Sequence, residues 1–220
     1  MENFLNLLFP LTCVFCANLG FAVCPRCLAS CRKVKTFHLL RSSDFGMSPG
    51  GVLPVYSYFS YEWLVRECIR DSKYKSKKFS LLRDLTKYIS LQESFELIRA
   101  LKFDAIVPIP STSQKLRRRG FNQAVVIGDI LAKALNIPQV FLLKRIKDTQ
   151  AQHSLSRRLR NQNLQGAFSV VSSQADIVPP KRVLLVDDIL TTGSTLWHAS
   201  VALSDFGVEN LYAFTLSRRL

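Results

Sequence analysis

The chain has 220 residues, 48% of them hydrophobic and 10% aromatic, with ordinary glycine and proline counts. That excludes a disordered or collagen-like chain and leaves room for one α/β domain with a small appendage. Lys and Arg number 30 against 16 Asp and Glu, a net charge of +14, and residues 111–163 alone hold eleven basic and two acidic residues. So concentrated a field suits a polyanion, a nucleic acid or a phosphorylated small molecule; otherwise it is a solvated basic surface that aids solubility.

No apolar run approaches the ~20 residues that cross a bilayer. The apolar start, Met1 to Leu11, has no basic flank, carries Glu2 and is interrupted by Pro10. It reads as a segment whose Phe4, Leu5, Leu8 and Phe9 pack onto the domain, not as a signal peptide, and the protein is expected in the cytoplasm.

Five of the six cysteines follow at once. Cys13 and Cys16 form one C-x2-C pair, Cys24 and Cys27 a second, and Cys31 lies four residues on. Two such knuckles can set four thiolates tetrahedrally around Zn²⁺, a closed structural site with no open position for catalysis. A short segment with little apolar material needs such a staple. Cys31 is a possible substitute ligand, and a redox switch is the competing reading. Residues 1–40 are taken as this module, and 41–51, RSSDFGMSPGG, as a linker.

From residue 52 to 220, strands alternate with helices. Strands are expected at Val52–Ser57, Asp104–Pro110, Gln139–Leu143, Arg182–Val186 and Leu211–Thr215. Helices are expected at Tyr61–Asp71, Phe79–Leu91, Gln92–Leu101, Asn122–Leu135 and Ser194–Phe206, with a basic turn at Ser72–Lys78. Asn122 is the N-cap candidate of the fourth helix, and Gly207 stops the last. The pattern describes a mainly parallel sheet with helices on both faces.

The sharpest signal is Val183–Thr195, VLLVDDILTTGST. Ligands of open α/β sheets bind at the carboxyl ends of strands, and a helix N-terminus after small residues offers backbone N–H groups to phosphate. Asp187 and Asp188 can accept from the two hydroxyls of a ribose, while Thr191, Thr192, Gly193, Ser194 and Thr195 can hold its 5-phosphate. The loop is neither a Walker loop nor a dinucleotide fingerprint.

This stretch resembles the phosphoribosyl-pyrophosphate motif of type I phosphoribosyltransferases. KLRRRGFNQA at Lys115–Ala124, the pair Lys73-Tyr74, the paired knuckles, and Thr149, Gln152, Leu155, Arg160, Asn163, Gly166, Ala167 and Phe168 resemble one branch, the ComF/GntX family. Where that family shows a His-Pro-containing turn, this chain has Ser111-Thr112-Ser113. The resemblance implies a type I phosphoribosyltransferase-like domain with an N-terminal zinc ribbon. It gives Asp187 and Asp188 a catalytic and ribose-binding role, Thr191–Thr195 the phosphate, and Mg²⁺ a place with the diphosphate. Arg119, Arg145 or Lys147 would neutralise a leaving group.

Arg117, Arg118 and Arg119, with Arg157, Arg158 and Arg160, suit phosphates of a nucleic acid. Phe121 beside them either stacks on a base or anchors its helix, and His153 reads as a surface residue. Two expectations follow. One is a protein of DNA uptake that binds phosphoribosyl pyrophosphate and single-stranded DNA beside a helicase-like translocase. The other is a phosphoribosyltransferase acting on a nucleobase or amine in nucleotide salvage.

Overall fold

A computed structural model describes residues 11–46, 51–74, 79–146, 164–171 and 177–219. Five strands make the main sheet: β1 (Lys33–Arg41), β2 (Val52–Ser60), β3 (Ala105–Pro108), β6 (Arg182–Leu190) and β7 (Asn210–Arg218). Their order is β1-β2-β7-β6-β3; β1 runs antiparallel to β2, and every other pairing is parallel. A two-stranded antiparallel ribbon, β4 (Leu143–Arg145) with β5 (Phe168–Val170), stands apart.

The central strands are apolar at nearly every position because both faces are covered. Alternate residues go to opposite sides. Tyr56, Tyr58, Leu184, Val186 and Phe214 join one core, shared with α2 (Trp63–Tyr74), α3 (Phe79–Ser90) and α6 (Gln123–Leu135). Leu53, Val55, Val183, Leu185 and Ala213 join the other, closed by α7 (Ser194–Phe206) and the β4–β5 ribbon. Asn122 caps α6 as expected, its Oδ1 accepting from Ala124 N at 3.1 Å. Gly207 ends α7 in the left-handed conformation.

Several expectations change. β1 occupies residues divided above between the module and the linker. Its half-exposed pattern, with Lys33, Lys35 and His38, is that of an edge strand, which hides the alternation of a buried one. Gln139–Leu143 is not a strand. Gln139 makes a single bridge to Ile106, because Pro138 has no N–H to continue a ladder. The last residue of that stretch, Leu143, starts β4. Strand β6 continues past Val186 to Leu190, paired throughout with β7. Gln92–Leu101 contains only a 3₁₀ turn, Glu93–Phe95, and the short helix α4 (Glu96–Arg99). Helix α2 extends into the expected basic turn as far as Tyr74. Residues assigned no element above form α5 (Ser113–Arg119), capped by Thr112 and stopped by left-handed Gly120. Phe4, Leu5, Leu8 and Phe9 lie outside the described residues.

The N-terminal module, with its short helix α1 (Pro25–Ala29), is docked rather than tethered. Ala22, Val23 and Leu28 are buried in the first core. The Asp84 carboxylate of α3 accepts from Ala22 N at 2.7 Å and Val23 N at 3.2 Å. Among the described residues no helix is long and apolar enough to cross a membrane.

Candidate functional site

The four knuckle sulfurs, of Cys13, Cys16, Cys24 and Cys27, lie within 4.8 Å of one another. Cys13 Sγ is 3.9 Å from Cys27 Sγ, and Cys16 Sγ is 3.5 Å from Cys24 Sγ. Thiolates ~2.3 Å from a tetrahedral ion would sit ~3.8 Å apart, so this donor set fits Zn²⁺. Cys31 is not in the cluster; its thiol donates to the Cys27 carbonyl at 3.5 Å. Burial works against a thiolate at Cys13, yet hydrogen bonds from the backbone of Cys24, Phe15 and Cys16 lower its pKa to about 6. Burial, and next the Cys16 and Cys24 thiols, push the Cys27 thiol up, so a metal binding this set would displace the remaining protons.

The second site lies toward the carboxyl end of β6. Asp187 and Asp188 are consecutive strand residues, and Asp188 N donates to Asp187 Oδ1 at 2.8 Å. Burial, and next the charge of Asp188, raise the Asp187 carboxyl to about 7. Burial pushes Asp188 the same way, but Lys73 outweighs it, with support from Arg119 and Lys115, and the carboxyl stays below its usual value. Lys73 Nζ is 2.5 Å from Asp188 Oδ2, and the two side chains are only 17% and 14% exposed. Burial and the neighbouring Arg145 and Arg119 lower the Lys115 ammonium, while Asp187 supports it. Three cations, Lys73, Lys115 and Arg119, thus act on the two carboxylates, an excess of one positive charge when both acids are ionised, and Arg145 acts in turn on Lys115.

Sequence reasoning had named Arg119 and Arg145 for this region but not Lys73 or Lys115. The only signal for Lys73 was its place in the family-like Lys73-Tyr74 pair. Nothing local links it to Asp188: it comes from the last turn of α2, and parallel strand pairing brings the two together.

After β6, the loop turns into α7 through Gly193, at φ +80°. A Cβ there would stand 2.6 Å from two methyl carbons of Leu40 on β1, so both the conformation and the close approach require glycine. Thr192 Oγ1 accepts from Ser194 N at 3.4 Å and lies 3.1 Å from Ser194 Oγ. Helix α7 has no side-chain cap, and the first N–H groups of a helix have no partner within it. The arrangement can hold an anion.

The arginine run divides. Arg117 and Arg118 are exposed on α5, whereas Arg119 is half-buried and donates through Nη1 to Gln123 Oε1 at 3.1 Å. Alongside lies an apolar groove of about 410 Å³, lined by Pro110, Leu116, Phe121, Phe141 and Leu143 with Ser111 and Asn122. Phe121 serves as an anchor, half-buried against the first core with its ring 6.4 Å from that of Phe79, and it also lines this groove. Ser111 Oγ donates to Asn122 Oδ1 at 3.1 Å, so the turn that replaces the family's His-Pro segment is fixed to the start of α6. Lys147, His153, Arg157, Arg158 and Arg160, and the signature residues Thr149, Gln152, Leu155 and Asn163, lie outside the described residues.

A parallel sheet carrying an acid pair and a threonine-glycine turn at its carboxyl end defines a phosphoribosyltransferase-like domain. In agreement, the phosphoribosyl transferase domain family matches residues 121–219. Competence protein F of Haemophilus influenzae is 42% identical over 116 residues, 52% of this chain and 50% of that protein. Competence protein ComFC of Bacillus subtilis is 24% identical over 163 residues, 74% of this chain and 63% of that one. A crystal structure of APRTase from Giardia lamblia with 9-deazaadenine is 19% identical, with a TM-score of 0.42 over 83% of this chain and 81% of that one. The resemblance to the ComF/GntX family is borne out, and the domain has the type I phosphoribosyltransferase fold. The chain spans about half the length of the first of these relatives.

Proposed function

We propose that this protein binds phosphoribosyl pyrophosphate, or a similar ribose 5-phosphate, and acts on single-stranded DNA during DNA uptake. The observation that carries the first half is the acid pair with Lys73 against Asp188 and Lys115 and Arg119 nearby, ahead of the Gly193 turn. Asp187 and Asp188 would accept from the ribose hydroxyls, and Thr191–Thr195 with the start of α7 would hold the 5-phosphate. The cations would face the diphosphate. Mg²⁺, whose preference for oxygen donors fits the two carboxylates, would come with the diphosphate and supply charge neutralisation there. A zinc ion held by Cys13, Cys16, Cys24 and Cys27 would be structural.

The second half rests on the competence-named relatives and on a surface that matches a single strand. Exposed Arg117 and Arg118 directly follow Leu116, which lines the apolar groove, and Arg157, Arg158 and Arg160 add charge in sequence. Backbone phosphates suit the arginines, and unstacked bases suit an apolar floor. A helicase-like translocase is the partner such a role calls for.

The retained acid pair and its cations favour a second reading, an active phosphoribosyltransferase of nucleotide salvage. The anomeric C–O bond would break, pyrophosphate would leave with the electron pair, and a nitrogen of a nucleobase or amine would supply the new bond and lose its proton. Lys73, Lys115, Arg119 and Arg145 would stabilise the leaving charge.

Calorimetric titration of phosphoribosyl pyrophosphate, with and without Mg²⁺, tests the site. Magnesium-dependent binding that disappears in Asp187→Ala with Asp188→Ala is expected; its absence in the parent protein would reject the sugar-phosphate reading. Single-stranded DNA should bind with an affinity that falls as salt rises, and Arg117→Ala with Arg118→Ala should flatten that slope by about two. An unchanged slope would remove these arginines from the interface. Pyrophosphate release that requires an added base would select the enzyme reading.

A further inference from the structure

Trp63 opens α2 in solvent. It is 74% exposed, whereas the other tryptophan of the chain, Trp197, is 4% exposed within the second core. The Trp63 backbone is left-handed, at φ +31°, a conformation that bulky residues rarely adopt. Burial of the indole does not repay it. Strain of this kind clusters at ligand-binding positions, held there by the surrounding structure. Here one ring approaches. Phe15, between Cys13 and Cys16 of the first knuckle, lies 6.2 Å from Trp63, tilted by 59°. The knuckle braces one edge of the indole and leaves it largely open.

The charge nearby has one sign. Residues 11–43 hold five basic residues and no acidic one. Glu62, the acid next to Trp63, is ion-paired with Arg32 at 3.5 Å, and Glu67 with Arg70. Exposed Arg66 lies one turn along α2, on the same side as Trp63. An open indole among arginines is the chemistry of a single-strand site: bases stack on the ring whatever their identity, and guanidinium groups take the phosphates. A protein partner would also use an exposed tryptophan, but a module without acids favours a polyanion.

Resting on the single-stranded DNA reading above, we propose that the N-terminal module and the start of α2 form a second contact for the strand, sharing no residue with the apolar groove beside α5. A base stacks on Trp63, with Phe15 at the edge of the indole, and Arg32 and Arg66 donate to flanking phosphates. Arg32 meets Glu62 through Nη1, and its guanidinium has further donors to offer. The knuckle is then more than a staple, because it fixes the ring that braces the stacking residue.

An oligothymidylate of about 16 nucleotides, titrated into the full chain, gives two readouts: anisotropy of an end label on the DNA, and the emission of Trp63. An abasic strand of equal length, with phosphates but no bases, is the control. The oligothymidylate should quench Trp63, and the abasic strand should not. Trp63→Leu should weaken the oligothymidylate about tenfold, the scale of one stacked base, and leave the abasic strand unchanged. Trp63→Phe keeps a ring and should retain most of the affinity.

If the oligothymidylate binds while Trp63 emission and the affinity of Trp63→Leu both stay unchanged, the proposal is overturned and the strand lies elsewhere. An equal loss for both strands in Trp63→Leu would overturn it too, since the residue would then act through the shape of the module. So would an indole already shielded from acrylamide before DNA is added, because another surface would cover it. If the parent chain binds no single strand at all, the DNA reading itself fails, and the anisotropy reports that independently of any variant.

Discussion

The cysteine module and the acid pair stand at opposite extremes of how a folded chain holds polar groups. In the module, four sulfurs from one short stretch face one another, and the module is fastened by the Asp84 carboxylate to two backbone N–H groups. Ligands close in sequence and a carboxylate with satisfied donors favour a single stable arrangement. At the end of β6 the opposite holds. Two adjacent carboxylates share a nearly buried position, one of them raised to about 7, and Lys115 beside them is lowered by burial and by its cationic neighbours. That site is costly to fold and is poised for a charged ligand, whereas the sulfur cluster is poised only to persist.

The largest expected effect tests the module. Cys24→Ser should lower bound zinc from about one ion per chain to near none, measured by elemental analysis, because structural zinc supplies most of the folding energy of such small modules. The sheet should remain folded, so far-ultraviolet circular dichroism should keep most of its signal. Loss of the whole fold would show that the module holds up the domain rather than decorating it.

Asp84→Ala comes next. It removes the acceptor of two backbone N–H groups and should cost about 2–4 kcal/mol in denaturant unfolding, on the scale of ~1–3 kcal/mol for each donor left buried. Zinc content should be unchanged, which separates docking of the module from its own folding.

Gly193→Ala tests the phosphate loop. A left-handed alanine with its Cβ against Leu40 should cost about 1–3 kcal/mol and weaken sugar-phosphate binding. Adding Leu40→Ala makes room for the Cβ but leaves the backbone conformation unfavourable, so only part of the loss should return. Full recovery would assign the whole requirement to contact with β1.

The smallest effect carries a sign. The folded pKa of Asp187 lies above its ordinary value of 3.8, at about 7. Between these values the unfolded chain binds fewer protons than the folded one, so this group's contribution to stability falls as pH rises from about 4 to 7. Asp187→Asn should therefore raise the thermal midpoint at pH 8 by a few degrees, roughly what ~1 kcal/mol gives for a chain of this length. The gain should disappear near pH 4. A gain independent of pH would mean that the buried charge of Asp187 is not its origin.

Legibility followed the same division. The two C-x2-C spacings point to the sulfur cluster directly, because residues so close in the chain meet whatever the rest does. The turn into α7 was equally plain: Gly193, Ser194 and the stop at Gly207 are local conformational signals, and the helix runs Ser194–Phe206 as read. The cap at Asn122 is of the same kind. Helix α5 is not legible in the sequence although Thr112 and Gly120 bound it. It is short, its basic residues form no apolar stripe, and none of them is buried. β1 was missed because an edge strand faces solvent along much of its length and carries lysines where a central strand carries valines.

The sequence by itself determined the cluster of four sulfurs, the apolar strands of a mainly parallel sheet, and the acid pair followed by its threonine-glycine turn. Each depends on neighbours in the chain, through fixed spacing, local conformational preference or hydrophobic periodicity. Only the tertiary structure decided which cations face the acids. Lys73 reaches Asp188 from the end of α2, while Lys115 and Arg119 come from α5; Arg145, from the β4–β5 ribbon, acts on Lys115. It also separated Arg119 from Arg117 and Arg118, although the three are adjacent in sequence. Electrostatic partners act through space over a few ångströms, and strand order, not chain order, sets which distant residues come that close.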